Sequence, residues 1–153
     1  MNDENSNLMV LIADDDEDDR LMIKDAFADS GLKNPLIFVD NGEELMHYLK
    51  HTEKYSRLPE VQLPALILLD LNMPKKDGRE ALAEIKNDQA LKTIPVVVLT
   101  TSNSKEEINR IYSLGANSFI VKPNSFDLLI NIIKTLKQYW FDVIELPSRD
   151  NPE

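Results

Sequence analysis

The chain is 153 residues long, and 27 Asp and Glu residues against 17 Lys and Arg residues give it a formal charge of −10 at pH 7. This acidity argues against binding to nucleic acid, and the absence of cysteine excludes disulfides, thiolate catalysis and cysteine-based metal centres. No apolar run reaches the roughly 18 residues of a membrane span and the acidic start is unlike a signal peptide, so we expect a cytoplasmic protein without membrane contacts.

Five apolar runs of strand length alternate along the chain with five segments of helical period. The runs are continuous rather than interrupted by a polar residue at every second position, which is typical of strands buried on both faces of a parallel sheet. In chain order, strands are predicted at residues 9–13, 36–39, 66–69, 95–99 and 118–121.

The intervals between these strands carry helix signals. Ser104 and Glu107 have the spacing of a capping box and Gly115 is a typical helix stop, so one helix is predicted between them. In chain order, helices are predicted from the acidic cluster after the first strand to about residue 31, and then at 41–49, 79–88, 104–115 and about 125–140.

A strand–helix unit repeated five times predicts one domain built on a (βα)₅ pattern. Right-handed crossovers then give a flavodoxin-like α/β fold, a doubly wound five-stranded parallel sheet of order 2-1-3-4-5, because a closed barrel of this kind needs eight units. We expect residues 1–141 to form this domain, with a core at about 8–140. The polar connection 51–64 is expected to be a surface excursion, and 142–153 to be a C-terminal tail.

Three carboxylates follow neighbouring strands of the predicted sheet. Asp14 and Asp15 end the first strand and Asp70 ends the third, and the carboxyl ends of parallel strands meet at one edge. Carboxylates at such a short distance repel one another, and each raises the pKa of the others. A divalent cation relieves this repulsion, and a site made only of oxygen ligands suits Mg²⁺. The acids at 16–19 have a simpler interpretation, because the first turn of a helix favours negative charge without any ligand.

Hydroxyl and ammonium groups follow the other two strands of this edge. Thr100 begins a Thr-Thr-Ser run whose hydroxyls can either bond a phosphoryl oxygen or cap the next helix. Lys122 is either solvated or directed at the acidic cleft, where it would bind carboxylate or phosphoryl oxygen, and we expect a cis bond between Lys122 and Pro123. A carboxylate such as Asp70 beside a cation can attack phosphorus and form an acyl phosphate.

The motifs LIADDD, LILLDLNMPKKDG, VVVLTTS and GANSFIVKP occur in this order. With them the chain resembles the receiver domain of two-component response regulators over roughly residues 8–139. The resemblance implies that Asp70 is the phosphoacceptor of a sensor histidine kinase in a phosphorelay. It also implies an Mg²⁺ cofactor bound directly by Asp15, largely through water by Asp14, and by the backbone carbonyl of Asn72.

The same resemblance assigns the residues that respond to phosphorylation. Thr100 is the switch hydroxyl, Lys122 is the salt-bridge partner of the phosphoryl group, and Phe119 occupies the aromatic switch position, which is often Tyr. The face formed by the fourth helix, the fifth strand and the fifth helix should then change shape and alter partner affinity. Such a protein is a signalling receiver that accepts a phosphoryl group and removes it from itself, not an enzyme.

A narrower resemblance concerns the 51–64 connection and the end of the chain. Both look like those of the small single-domain regulators that serve phytochrome-type photoreceptor kinases, so no output domain is expected. The apolar end, with Tyr139, Trp140 and Phe141, either covers its own last helix or reaches across to a second subunit. We expect the second arrangement, a homodimer in which the final helix and the tail form the interface.

Three other functions use a similar fold or nucleophile. A receiver-like interaction module would work without phosphorylation, but the complete set of site residues argues against it. An aspartyl-nucleophile phosphatase of the haloacid dehalogenase type needs an Asp two residues after the nucleophile, where this chain has Asn72. A flavodoxin-like cofactor binder needs a phosphate-binding loop after the first strand, where this chain has acids that repel phosphate.

Overall fold

The structure is a computed structural model that describes residues 8–57 and 63–147. Of the predicted connection and tail, residues 58–62 and 148–153 lie outside the described residues. The strands are β1 (Val10–Ala13), β2 (Leu36–Val39), β3 (Leu66–Leu69), β4 (Val96–Thr100) and β5 (Ser118–Val121). The helices are α1 (Glu17–Asp29), α2 (Gly42–Lys50), α3 (Gly78–Lys86), α4 (Lys105–Ser113) and α5 (Phe126–Lys137), with a 3₁₀ turn at Glu53–Tyr55 and a π-helical turn at Gln138–Val143.

The five strands form one parallel sheet of order β2-β1-β3-β4-β5, which confirms the predicted fold. Every residue of β1, β3 and β4 is buried, as their continuous apolar runs indicated. The register pairs Ala13 of β1 with Leu69 of β3. The residues that follow these two strands therefore leave the sheet side by side.

Side chains of the strands alternate between two core layers, one on each face of the sheet. Leu11, Ile67 and Val98 belong to the layer covered by α2, α3 and α4. Ile12 and Leu68 point the other way, into the layer covered by α1 and α5. Since both layers need apolar side chains, each central strand is apolar at every position.

Side chains cap the helices, but the predicted capping box of α4 is only half formed. Ser104 accepts a hydrogen bond from the backbone N–H of Glu107. The carboxylate of Glu107, however, turns to Arg79 of α3 instead of returning to the Ser104 backbone. A complete capping box is found at α3, between Asp77 and Glu80. The Ser-x-x-Glu pattern predicted the helix start correctly but gave the wrong hydrogen-bond partner for Glu107. A charged guanidinium is a stronger partner for a carboxylate than a backbone amide is.

The end of α5 differs from the prediction. The α-helix stops at Lys137 rather than near residue 140, and the chain continues in the wider π-helical turn. This turn buries Trp140 and Phe141 in the layer of α1 and α5, whereas Tyr139 stays half exposed. The apolar end was expected either to cover its own chain or to reach across to a second subunit. These two rings cover their own chain. No helix in the described part of the chain is long and apolar enough to cross a membrane.

Candidate functional site

Three carboxylates converge where β1 and β3 end. The Asp70 backbone N–H donates to the carbonyl oxygen of Ala13 over 2.9 Å, which fixes Asp70 beside the end of β1. One carboxylate oxygen from each of Asp14, Asp15 and Asp70 lies within 4.8 Å of the others. Asp14 and Asp70 are buried and Asp15 is exposed, so the cluster opens to solvent on one side.

The environment of Asp14 explains its protonation behaviour. Burial raises the pKa of this carboxyl, against the lowering effect of hydrogen bonds from Lys122 and from the Asp16 backbone. The negative charge of Asp70 adds a smaller increase to the same pKa. Repulsion between carboxylates was the predicted cause, but desolvation is the larger one because Asp14 is 1% exposed.

The Lys122 side chain reaches into this cluster from the end of β5. Its Nζ lies 2.7 Å from an Oδ atom of Asp14, 2.7 Å from one of Asp19 and 3.2 Å from one of Asp70. Burial lowers the pKa of Lys122, but the hydrogen bonds to Asp14 and Asp19 outweigh it and leave the pKa well above its usual value. Lys122 is therefore a permanent cation at any physiological pH.

The expected cis bond between Lys122 and Pro123 is wrong. Within the described ranges 8–57 and 63–147 every peptide bond is trans. The long lysine side chain reaches the carboxylates without a reversal of the backbone. The Lys122 backbone N–H donates to the Thr100 carbonyl oxygen over 2.8 Å and so keeps β5 in register up to its end.

The sequence analysis missed Asp19 as a partner of Lys122. Its neighbour Asp16 behaves as the helix interpretation requires, because it caps α1 by accepting from the Asp19 backbone N–H. Asp19 itself directs its carboxylate back to the strand ends. Side chains of a helix lean toward its N-terminus, so an acid one turn into α1 faces the site. That lean was the available signal.

Thr100 is fully buried at the end of β4, and among the described residues its Oγ1 has no hydrogen-bond partner. A buried hydroxyl without a partner is costly, and native proteins keep such groups mainly where function needs them. The capping alternative does not apply to Thr100, since Ser104 caps α4. The hydroxyl is thus available to a group that enters the site.

The loop after β3 is held by close backbone contacts. A Cβ atom on Gly78 would lie 2.3 Å from the Asp70 carbonyl oxygen, so only glycine fits there. Gly42 meets the same loop at Lys76, where a Cβ would lie 1.9 Å from the carbonyl oxygen. The backbone N–H of Asn72 lies 3.4 Å from Oδ1 of Asp70. The backbone beside Asp70 therefore leaves no room for a side chain at Gly78, and the loop leaves none at Gly42.

Phe119 is half buried on β5 and packs against the core layer of α4. Its backbone N–H donates to the hydroxyl of Tyr112, which lies near the end of α4 and is 47% exposed. The Phe119 side chain lacks the hydroxyl of the Tyr that is often found at this position, but the neighbouring helix supplies a hydroxyl to the Phe119 backbone. Sequence analysis did not single out Tyr112, because its contact with β5 depends on how α4 packs.

The donor set fits a hard divalent cation. Asp14, Asp15 and Asp70 offer only oxygen ligands, and the exposed side leaves room for the water that Mg²⁺ retains. Lys122 contacts two of the three carboxylates and partly neutralises them. A Mg²⁺ ion at this cluster would therefore share the carboxylates of Asp14 and Asp70 with the Lys122 ammonium group.

Comparisons with known proteins agree with this geometry. The family described as "Response regulator receiver domain" matches residues 10–134. The chain is 36% identical to "Response regulator Rcp1" of Synechocystis sp. over 149 residues, which cover 97% of this chain and 99% of that protein.

Two solved structures are also similar. The phosphorylated cyanobacterial phytochrome response regulator RcpA superposes with a TM-score of 0.85 at 40% identity, over 93% of this chain and 99% of that one. The Mn²⁺-bound form of Rcp1 superposes with a TM-score of 0.83 at 35% identity, over 92% and 99% of the two chains.

Proposed function

The chain belongs to the response regulator receiver family, and we propose that it accepts a phosphoryl group on Asp70 from a sensor histidine kinase. The observation that carries this proposal is the surrounding of the Asp70 carboxylate: the Lys122 ammonium at 3.2 Å, two further carboxylates, and the buried end of β4 with the unpartnered Thr100 hydroxyl. We assign Asp14, Asp15, Asp70 and the backbone carbonyl of Asn72 to the Mg²⁺ site.

The proposed transfer is a displacement at phosphorus. A carboxylate oxygen of Asp70 attacks the phosphorus of a phosphohistidine and forms an O–P bond as the P–N bond breaks. The electron pair of the broken bond stays on the histidine nitrogen, which takes up a proton. Asp14, Asp15 and Asp70 would hold the Mg²⁺ ion, which would supply positive charge to neutralise the phosphoryl oxygens. The Lys122 ammonium group donates a hydrogen bond to one of these oxygens. This bond replaces one that the ammonium group makes to a carboxylate in the unphosphorylated state.

The proposed response begins at Thr100. A phosphoryl group brings about −1.5 to −2 charge and three acceptor oxygens, so the Thr100 hydroxyl gains a partner if the end of β4 moves toward it. Movement of Thr100 frees space beside β5, and Phe119 can turn inward. The Tyr112 hydroxyl is bonded to the Phe119 backbone, so α4 follows β5 and the face of α4, β5 and α5 changes.

Labelling with acetyl phosphate and Mg²⁺, read by intact mass, tests the assignment of Asp70. The wild-type chain should gain one phosphoryl group, and removal of Mg²⁺ should abolish the gain. Asp70→Asn should gain none, whereas Asp25→Asn, which changes an exposed acid of α1, should label like the wild type. Labelling of Asp70→Asn would contradict the assignment, and an unlabelled wild type would favour an interaction module that works without phosphorylation.

We further propose that the kinase is of the phytochrome type, that the protein acts in the cytoplasm, and that it has no enzymatic role beyond losing its own phosphoryl group. The similarity to RcpA, a phytochrome response regulator, supports the first point. Phosphotransfer from a panel of purified sensor kinases tests it. The fastest transfer should come from phytochrome-type kinases, and equal rates across the panel would contradict it.

We also propose that residues 1–141 form one receiver domain and that two copies pair through α5 and the tail. Because Trp140 and Phe141 are buried in their own chain, the half-exposed ring of Tyr139 and the more exposed Val143 carry this proposal. Tyr139→Asp should convert a sedimenting dimer to a monomer without changing the fold. A chain that sediments as a monomer before the substitution would remove the proposal.

A further inference from the structure

The three hydrogen-bond donors of the Lys122 ammonium are all engaged. Each points to a different carboxylate, on Asp14, Asp19 and Asp70. Asp14 and Asp70 belong to the cation site, and Asp19 lies outside it. An incoming cation therefore competes with Lys122 for two of these carboxylates and not for the third.

We propose that Asp19 is a positioning residue that holds the Lys122 ammonium while a divalent cation occupies the carboxylates of Asp14 and Asp70. This proposal rests on the proposed function for the identity of the cation site. An ammonium group displaced from two carboxylates at once would lose its charged partners inside a buried pocket, which is unfavourable. The 2.7 Å bond to Asp19 leaves it one carboxylate throughout.

A small cavity supplies space for this displacement. It has a volume of about 30 Å³, enough for one water molecule, and lies between α1 and the end of β5. Its lining, among the described residues, includes Asp19, Lys122 and Met22 but neither Asp14 nor Asp70. The open space is thus on the Asp19 side of the lysine, and because the rest of the described lining is apolar, Asp19 is its one acidic partner for an ammonium group that shifts there.

The anchoring of Asp19 suits this role. Its backbone N–H is fixed by the α1 cap Asp16, and its side chain is 36% exposed, against 2% for Asp14. Because Asp19 lies outside the cation site, its carboxylate stays available to the ammonium group when a cation binds.

The affinity for Mg²⁺, measured by titration of backbone amide chemical shifts in the full chain, tests the proposal without any phosphodonor. Asp19→Asn should weaken Mg²⁺ binding on the order of tenfold, because Lys122 in the variant still has Asp14 and Asp70 as partners without the cation but has no carboxylate partner once the cation takes them. Asp18→Asn removes the same charge from an exposed position in the same helical turn, and should weaken binding by less than about twofold. Asp19→Glu should retain most of the affinity.

A double-mutant cycle separates the role of the lysine from simple charge attraction. In a Lys122→Met background, Asp19→Asn and Asp18→Asn should have equal effects, since no ammonium group needs a second partner. A larger effect of Asp19→Asn that persists without Lys122 would overturn the proposal. Equal effects of the two single variants in the wild-type background would overturn it as well.

Two further measurements separate the proposed role of Asp19 from a purely structural role and from the proposed function. The thermal unfolding midpoint of Asp19→Asn should stay within a few degrees of the wild type, and a large fall would mean that Asp19 is only structural. Acetyl phosphate labelling of the wild type reports on the proposed function alone. A wild type that binds Mg²⁺ as expected but is never labelled would refute the phosphoacceptor and leave the Asp19 proposal standing.

Discussion

Substitution of Gly78 by Ala is expected to disturb the phosphoacceptor directly. The added Cβ would lie 2.3 Å from the Asp70 carbonyl oxygen and 2.7 Å from the Cα of Leu71. Both are backbone atoms, so no side chain can rotate away to make room. The Gly78 backbone N–H also donates to the Leu71 carbonyl oxygen over 2.8 Å, and this bond closes the loop at the point of contact.

The size of the effect follows from the distances. Moving the Asp70 oxygen from 2.3 Å to the 3.4 Å of ordinary contact requires a displacement of about 1 Å. Overpacking of this kind costs about 1–3 kcal/mol of unfolding free energy. The displaced atom belongs to the nucleophile's own residue, and a misplacement of about 1 Å at a reacting group lowers a rate by about 100-fold. We expect Gly78→Ala to show both losses.

Two assays separate the losses. Urea denaturation gives the free energy of unfolding, and the initial rate of labelling by acetyl phosphate at saturating Mg²⁺ gives the rate. Gly31→Ala is the matched control: its φ of +81° costs about 1 kcal/mol in an alanine, but no atom lies within 4 Å of the new Cβ and the site is remote. Gly78→Ala labelled at the rate of Gly31→Ala would refute the reasoning.

Three further predictions concern other buried groups. Thr100→Val replaces a hydroxyl that has no partner among the described residues by a methyl group, so the unfolding free energy from urea denaturation should be unchanged or higher by about 1 kcal/mol. Phosphorylation of this variant should no longer shift the amide resonances of α4. A loss of stability would mean that the hydroxyl is bonded. Trp140→Ala should lower the unfolding free energy by about 3–5 kcal/mol, and Tyr139→Ala, at a half-exposed ring, should lower it by less than about 1 kcal/mol. Equal small effects of the two substitutions would mean that the Trp140 ring is not packed in the core. Hydrogen bonds from Arg79 lower the pKa of Glu107, so the stability they add is present above about pH 5 and lost as the pH falls. Glu107→Gln should therefore cost about 1 kcal/mol at about pH 7 and progressively less as the pH falls below 4.5 and through the lowered pKa, and a pH-independent cost would contradict this assignment.

The sheet could be predicted from the sequence because its signals are local and repeated. Continuous apolar runs identify strands covered on both faces, and cap residues such as Asn41 and Ser125 mark where the helices begin. Right-handed crossovers and the number of units then restrict the sheet to a doubly wound form, for which the flavodoxin-like order was the predicted choice. The same logic brought Asp14 and Asp70 together, since residues after neighbouring parallel strands must leave the sheet at one edge.

Contacts between elements could not be predicted in this way. Glu107 had two possible partners, the Ser104 backbone and a guanidinium on another helix, and only the fold, which brings the first turns of α3 and α4 near one another, places Arg79 within reach. Trp140 follows the same rule, because a π-helical turn redirects its ring into the core where a continued α-helix was expected. Pattern reasoning assigns a residue to an element, whereas the partner of a long side chain depends on the distance between elements.

The two groups assigned to the phosphoryl oxygens start from opposite conditions, and this decides which of them drives the response. Lys122 already has three carboxylate partners, so a phosphoryl oxygen only exchanges one charge-assisted bond for another. Thr100 has no partner among the described residues, so its hydroxyl gains a bond that the resting state lacks. A modification shifts a two-state equilibrium only by the difference in free energy that it makes between the states. The shift should therefore depend mainly on Thr100, while Lys122 contributes to binding the phosphoryl group in both states.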